Sequence, residues 1–516
     1  MPTEYSDFST PKPRQFFLSK SRFIRGLQCH KALWLLTHHP ELQDKISPAQ
    51  QAIFDSGSDV GKVAQGLFPN GVEVPYEGMK VSQQLAMTEK EISKGTTTIY
   101  EAAFKYSGVI AKIDILHMGP DGWELYEVKG STGVKEVYLN DIAVQYFIAV
   151  GAGVKSNKAN IVYINNTYTR NGDIDVHGLF CVEDVTDTIH GKQDCIAGEI
   201  KRQQEMLATA MPSIDIGPHC FDPYECSFHG HCWQHIPSPS VFDFADIGKP
   251  DAFALYMQGI VKMQDVPTDE LGWRQLLQFD GVIHKKNHFD NEAVTRFLGA
   301  LWYPLAFLDF ETTCLTAIPL FDGTRPFQAV PFQYSLHVQK GDESAVIEHY
   351  EFLADGDGDP RRQFIECLLS TVPKNACLIT WNKSFEERIL RDLTASCPEY
   401  ADRIAAVIEG MVDLMAPFRA KHVYHWQFNG SYSIKAVLPA LVPGLSYEDL
   451  QIKDGGIAAD SWLRMRSGVS REEEIKIRAD LLAYCKLDTW AMVEILKWLK
   501  DMVKVSASAL SEGQWT

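Results

Sequence analysis

Residues 98–130 read TIYEAAFKYSGVIAKIDILHMGPDGWELYEVKG, and this stretch decides the fold class. Its β-branched and aromatic residues fall into three short runs, which predicts three strands. The first carries Glu101 and the second Asp114; a Gly119-Pro120-Asp121-Gly122 turn leads into the third, Trp123–Lys129. A helix is expected from about Leu139 to Val150, then a strongly β-branched strand, Ala159–Ile164. That order of strands and helix predicts an α/β fold. The pattern recurs at LAFLDFETTCL, residues 305–315. Strands follow near Pro331–Val338 and Cys377–Trp381, and helices at Glu386–Asp392 and about Arg471–Lys500. Between the two patterns, residues 250–300 read mostly as helices without a chemical cluster. The expected organisation is an α/β domain over 1–245 closed by PSPSVFDF, a helical bridge over 246–300, and a second α/β domain over 301–505.

Composition agrees with a folded multidomain protein. The chain has 516 residues, 45% hydrophobic and 22% charged, too many for one core. Acidic residues number 67 against 49 Lys and Arg, a formal charge of -18. That balance excludes a protein that simply coats nucleic acid, but not a nuclease, which needs clustered carboxylates and only a local basic path. From Lys12 to Lys31 there are six Lys or Arg and no acid, a candidate phosphate-facing patch. Residues 1–17 read as a loosely held arm, and Ser19 or Ser21 as the cap of a helix-rich start. No run of eighteen apolar residues occurs, which excludes a membrane span, and the N-terminus lacks signal-peptide order. Eleven cysteines are too sparse for a disulfide scaffold and predict a reducing, cytoplasmic setting. Cys181, Cys314, Cys367, Cys377 and Cys485 lie in apolar or helical surroundings and read as inert core residues.

Glu127 and Lys129 are two apart on one strand and project to the same side. Asp114, across the hairpin, is placed to face them. Three charged groups converging on apolar strands call for a compensating partner, and a divalent metal between Asp114 and Glu127 supplies one. Lys129 would then orient the attacking water. The other reading is an ordinary solvent-facing salt bridge. Asp114…Glu127-Val128-Lys129 resembles the core of PD-(D/E)XK nucleases, specifically the RecB-like branch with its restriction-endonuclease-like fold. Gln145 matches the glutamine which that branch places beside the site. Where the branch has a histidine ligand, this chain has Gly61, in Gly57-Ser-Asp-Val-Gly61, and Glu101 is the alternative additional ligand. Where a tyrosine often follows the glutamine, it has Ala149.

Cys220, Cys226 and Cys232 are evenly spaced in HCFDPYECSFHGHCW, with five residues between neighbours each time. Zinc fits that spacing loosely, and three thiolates need a fourth ligand for either zinc or a cubane cluster. His219, His229, His231, His235 and a distant cysteine are the candidates. RecB-like nucleases of the CRISPR-associated and helicase-nuclease kinds hold a 4Fe-4S cluster on one cysteine before the core and three after it. Cys29, in Leu-Gln-Cys-His-Lys-Ala-Leu-Trp-Leu, resembles the first ligand. Cys220, Cys226 and Cys232 resemble the others, with zinc as the alternative. The implied role is structural, closing the domain from both ends.

In the second half, Asp309 and Glu311 share a strand face while Leu308 and Phe310 turn away. Two carboxylates inside an apolar strand repel unless a cation sits between them. In YCKLDTWAMVEIL, Tyr484 and Asp488 are one helical turn apart. Together these motifs resemble the DnaQ-like 3'-5' exonucleases, the tyrosine-bearing DEDD subgroup with an RNase H-like fold. The middle motif of that group carries an aspartate where Trp381-Asn-Lys-Ser-Phe-Glu386 places Glu386, with the same charge and one more methylene. Asp413 is a second candidate for that ligand. Ser431-Tyr-Ser-Ile-Lys435 resembles the segment before the last motif and is placed to touch backbone phosphate.

Oxygen ligands favour Mg²⁺ or Mn²⁺ over zinc. The metal set is then Glu101, Asp114 and Glu127 in the first half, and Asp309, Glu311, Glu386, Asp413 and Asp488 in the second. The pairing of halves resembles an uncharacterised bacterial family with a domain of unknown function at its C-terminal end. It implies a metal-dependent DNA nuclease with two sites, acting on DNA with a free end, in DNA repair or defence against foreign DNA. The alternative is a nucleic-acid-binding or scaffold protein in which one or both sites are degenerate. A helicase partner follows from family analogy alone, since the chain has no Gly-rich ATP-binding lysine motif.

Overall fold

The computed structural model describes residues 16–46, 48–313, 316–342 and 344–511. Lys12, Arg14, most of the N-terminal arm and Cys314 lie outside them. The chain divides into two α/β units. The first comprises residues 1–235 with 317–326, and the second comprises 236–316 with 327–516. Among the described residues no helix is long and apolar enough to cross a membrane.

The first unit is built on a mixed sheet. Its three central strands are Thr98–Tyr106, Val109–Gly119 and Gly122–Lys129, joined antiparallel; Ser156–Ile164 adds parallel and Phe180–Asp184 antiparallel. The parallel step needs a crossover, which the helix Glu136–Gly151 provides. Its buried residues, among them Ile142, Val144 and Ile148, join Ile113, Leu116 and Leu125 of the sheet in one core. The ladder between the second and third strands begins at Ile115 opposite Tyr126 and runs toward the turn. Beyond that pair the strands part, and the Asp114 side chain accepts from Val128 N at 2.7 Å in place of the ladder. The neighbouring ladder is interrupted at the same level. Tyr100 pairs with Ile115 and Ala102 with Ile113, while Glu101 between them has φ +56°. Asp114, Glu127 and Glu101 therefore gather where the sheet opens.

The helix Lys20–Gln28 lies in this unit, capped by Ser19, whose Oγ accepts from Arg22 N at 3.2 Å. It breaks at Cys29, which is extended (φ -160°, ψ 117°), and a second helix, His30–His38, begins. Gly26 leaves room here for the end of the Gln203 side chain, which a Cβ would meet at 2.4 Å, where the long helix Thr186–Leu207 packs. Three of the four described cations of the basic run, Lys20, Arg25 and Lys31, have partners or burial within the unit, so the run is not a simple solvent-facing strip. Lys20 meets carboxylates, Lys31 Nζ donates to Ile214 O at 3.1 Å, and Arg25 Nη1 is buried.

The second unit has a five-stranded sheet. Leu305–Thr312 is central, with Pro331–Gln339 and then Ile347–Leu353 antiparallel on one side, and Cys377–Thr380 and then Met411–Asp413 parallel on the other. A strand covered on both faces reads as a continuous apolar run, and LAFL is fully buried. The 41-residue helix Arg471–Ser511 packs on it, with Glu472, Glu473 and Glu474 in its first turn, where the helix dipole favours them.

Two expected boundaries move. Residues 246–300, read as a bridge, belong to the second unit. Helix Trp273–His284 reaches back through Gln278, which accepts from Ala245 N at 2.9 Å and donates to Asp243 O at 2.7 Å. His288–Phe289 pairs antiparallel with Val423–Tyr424. PSPSVFDF therefore opens the second unit instead of closing the first. Residues 317–326, read as part of the second domain, belong to the first unit. Arg170 Nη1 donates to Pro319 O (3.1 Å) and Leu320 O (3.0 Å), and Gly172 N to Asp322 Oδ1 (2.9 Å). Main-chain polar groups of a connecting segment need partners, and here the partners lie in the other half of the sequence.

Candidate functional sites

In the second unit, a cavity of about 1080 Å³ is lined by Asp309, Glu311, Glu386, Asp488, Tyr484 and Lys435. Asp309 and Glu311 lie toward the carboxyl end of the central strand, past its last parallel pair, Phe307 with Ile379. Glu386 comes from the helix Lys383–Ser396, which starts just after the neighbouring parallel strand ends. Carboxyl ends of parallel strands are where α/β sheets place ligands. The long helix is held in register by Gln333 Nε2, which donates to Leu481 O at 2.8 Å, and by Ser335, whose Oγ is 2.7 Å from Thr489 Oγ1. Ser335 pairs with Asp309 across the strands and Thr489 follows Asp488, so this contact sets Asp488 against Asp309.

Positive charge is scarce in this cluster. Burial, then Asp488 and other neighbouring carboxylates, push Asp309 and Glu311 well above the ordinary carboxylate range. Glu386 is raised to about 8, by burial first and by Asp413. Its Oε2 is buried without a hydrogen-bond partner in the protein. Asp488 is raised less, to about 6, because hydrogen bonds from Tyr447 and Tyr484 and the charge of Lys435 oppose burial. The Lys435 ammonium lies 5.3 Å from the ring centre of Tyr484 and 5.7 Å from that of Tyr447. A buried carboxylate without partners is costly, and a divalent cation bound by these oxygens would relieve it. The residues fit such an ion.

Asp413 has other partners. Its Oδ1 accepts from Met415 N at 3.0 Å and its Oδ2 from Arg419 Nη2 at 2.8 Å, which fixes the turn into Ala416–Arg419. Two residues not anticipated as site residues do reach the cluster. Tyr447 OH donates to Asp488 Oδ1 at 2.6 Å, and Cys485, read as core, has its sulfur within 4.8 Å of the Asp309 and Glu311 oxygens. Cys485 sits one position after Tyr484, a signal that helix spacing hides because adjacent residues point apart.

In the first unit, Asp114, Glu127, Lys129 and Gln145 come together. Lys129 Nζ donates to Glu127 Oε1 at 2.6 Å, and Gln145 Nε2 to Glu127 Oε2 at 2.5 Å. Two further residues complete the group. Asp141 is one helical turn before Gln145 and pairs with Lys129. Lys20 Nζ is 3.0 Å from Glu127 Oε1 and 3.4 Å from Asp141 Oδ1. Burial alone would raise the Glu127 pKa, but Lys129 and Lys20 outweigh it and hold the group below its usual range. Asp114 is raised to about 8, by burial and Glu127. Glu101 is also raised, by burial, against the pull of Lys112 and Lys20. The i,i+4 spacing of Asp141 and Gln145 was legible, whereas nothing local marks Lys20, 107 positions from Glu127.

The four cysteines Cys29, Cys220, Cys226 and Cys232 line one small cavity, together with His219 and His229. None is in a disulfide. The helix break at Cys29 is tied to the cysteine loop by Gln28 Nε2, which donates to His219 O (2.8 Å) and Tyr224 O (2.6 Å). Burial raises the thiol pKa of Cys29, Cys226 and Cys232. The four thiols, drawn from both ends of the unit, line this one cavity, although no three of their sulfurs lie within 4.8 Å of one another.

Comparison with known proteins adds the following. The family model described as a domain of unknown function (DUF2779) matches residues 306–433, which hold Asp309, Glu311 and Glu386 and stop short of Tyr484 and Asp488. Uncharacterized protein MG366 of Mycoplasma genitalium is 25% identical over 215 residues, 38% of this chain and 32% of that protein. The match thus spans about a third of that relative's length. The crystal structure of a phage-related exonuclease from Haemophilus somnus 129PT aligns at 13% identity over 38% of this chain and 94% of that one. Its TM-score is 0.18, too low to speak for the fold.

Proposed function

We propose that the protein is a divalent-metal-dependent nuclease that hydrolyses phosphodiester bonds in the carboxylate cavity of the second unit. One observation carries the reading: Asp309, Glu311, Glu386 and Asp488, from three separate elements, line a single cavity with Lys435 as the cation set against them. Mg²⁺ or Mn²⁺ held by these oxygens supplies the charge that neutralises the phosphodiester and lowers the pKa of the attacking water. Tyr484, hydrogen-bonded to Asp488, orients that water, and Tyr447 holds the other face of Asp488 in place. Lys435 and the hydroxyls of Ser431 and Ser433, which line the same cavity, receive the phosphate. The DnaQ-like, RNase H-like reading of this unit is supported by its mixed sheet and by the motif residues meeting at the carboxyl end of its central strand. It implies removal of nucleotides from a 3' end.

The first unit is read as a RecB-like, restriction-endonuclease-like core, supported by the meeting of Asp114, Glu127, Lys129 and Gln145. Its cysteines are read as ligands of a 4Fe-4S cluster that staples the helix Lys20–Gln28 to the domain. A brown colour with absorbance near 400 nm and about four iron atoms per chain is expected of protein purified without oxygen. Colourless protein with one zinc would replace the cluster by zinc. The alternative in which only one site is catalytic is favoured for the first unit by Lys20, whose ammonium already answers Glu127.

The test of the main reading is cleavage of 5'- and 3'-labelled single- and double-stranded DNA and RNA with Mg²⁺, Mn²⁺ or EDTA. Metal-dependent shortening from the 3' end is expected. Binding of any of these substrates without metal-dependent cleavage would defeat the enzyme and leave the scaffold.

A further inference from the structure

The oxygens of Glu127 are both engaged. Oε1 accepts from Lys20 Nζ at 3.0 Å and Lys129 Nζ at 2.6 Å, and Oε2 from Gln145 Nε2 at 2.5 Å. Asp114 Oδ2 accepts from Val128 N at 2.7 Å. Asp141 is shared by both lysines. A divalent ion needs bare carboxylate oxygens and brings positive charge to a place that lacks it. As arranged, Glu127 has no bare oxygen to offer one: both of its oxygens carry donors, and the positive charge beside it is already present.

The two lysines stand in different positions. Lys129 is fixed to the site by its strand, two residues from Glu127 on the same face. Lys20 comes from the first turn of a distant helix, on a long side chain 24% exposed, while Glu127 is 2% exposed. Its helix is held by the Ser19 cap, by the close approach at Gly26 and by the Cys29 junction. The side chain therefore has a way out to water that does not require the helix to move.

We infer that Lys20 is the built-in counter-cation of the first unit's carboxylate site, so that a divalent ion reaches Asp114 and Glu127 only by displacing its ammonium. The inference rests on reading Asp114 and Glu127 as a site that takes such ions. It is tested by counting ions, so that its failure is separable from failure of the nuclease reading.

The experiment is Mn²⁺ binding by calorimetry to the full chain carrying D309N and D488N, which removes ligands of the second unit's cavity. With Lys20 present, binding in the low micromolar range is not expected. With K20M added, one Mn²⁺ per chain should bind at least tenfold more tightly, and K20R should behave like the parent. Equal Mn²⁺ affinity of parent and K20M, or no binding by either, overturns the inference. Should K20M fail to fold, wild-type crystals soaked in Mn²⁺ decide by anomalous scattering. Manganese between Asp114 and Glu127 with Lys20 still hydrogen-bonded to Glu127 overturns it. Lys20 on Glu127 without manganese there, or manganese there with Lys20 swung out, supports it.

Discussion

The two carboxylate clusters of this chain solve one electrostatic problem in opposite ways. Around Glu127, two ammonium groups and an amide answer the buried charge, and Glu127 is held below its usual pKa. Around Glu311, the neighbours are chiefly other carboxylates, with the charge of Lys435 opposing them, and burial with these acids pushes Asp309 and Glu311 well above their usual pKa. A buried acid is stable when paired and a burden when crowded with its own kind. At Glu127 the first cluster is therefore answered by what the chain itself supplies, and the second is left needing something from solution. Motif spacing separates these cases only in part: it sets Lys129 beside Glu127 and two acids side by side at Asp309 and Glu311, but it does not reveal Lys20.

The largest expected contrast is in cleavage. D309N should abolish metal-dependent hydrolysis, a loss of roughly 1000-fold or more, matching the several kcal/mol a metal site contributes. D114N should leave the 3'-end activity within about threefold, as for a residue outside the reacting site. Equal losses in the two variants, measured on one labelled strand, would erase the contrast.

Stability in EDTA should change with opposite sign. E127Q removes the charge facing Lys20 and Lys129, which are 24% and 18% exposed, and should destabilise the chain by about 2–4 kcal/mol. E311Q removes one of several crowded acids and should raise the unfolding midpoint. Urea titration of both variants reads the signs directly, and destabilisation by E311Q would show that its cavity is not short of positive charge.

A smaller effect follows from pH. Asp488, at about 6, and Glu386, at about 8, have folded pKa values above those of the unfolded chain. Their contribution to stability is present at low pH and is lost as pH rises through about 6 to 8. Mn²⁺ bound to the ionised forms restores it, so the rise in melting temperature on adding Mn²⁺ should be larger at pH 8 than at pH 5.5. A rise independent of pH would place the ion on other ligands.

Much of this was legible locally. Glu127 with Lys129, Asp309 with Glu311, and Tyr484 with Asp488 each lie within one element, where period 2 or 3.6 states which side chains share a face. The helix Glu136–Gly151 and the strand Ser156–Ile164 extend a few residues beyond their expected ends, since ends depend on neighbours more than on composition. Residues 246–300 and 317–326 changed unit because their partners, Ala245, Tyr424 and Arg170 among them, are remote in sequence or carry no motif. Tyr447 escaped notice for the same reason: its partner Asp488 is 41 positions away.

Taken alone, the sequence determined the α/β order, the sharing of one strand face by Glu127 with Lys129 and by Asp309 with Glu311, and the cysteines available to gather. Each of these follows from covalent spacing and backbone period. Tertiary structure alone decided that a second counter-charge, Lys20, joins Lys129 at Glu127. Compensation acts through space, and the ammonium that reaches Glu127 arrives from the far end of its domain, beyond the reach of any local period.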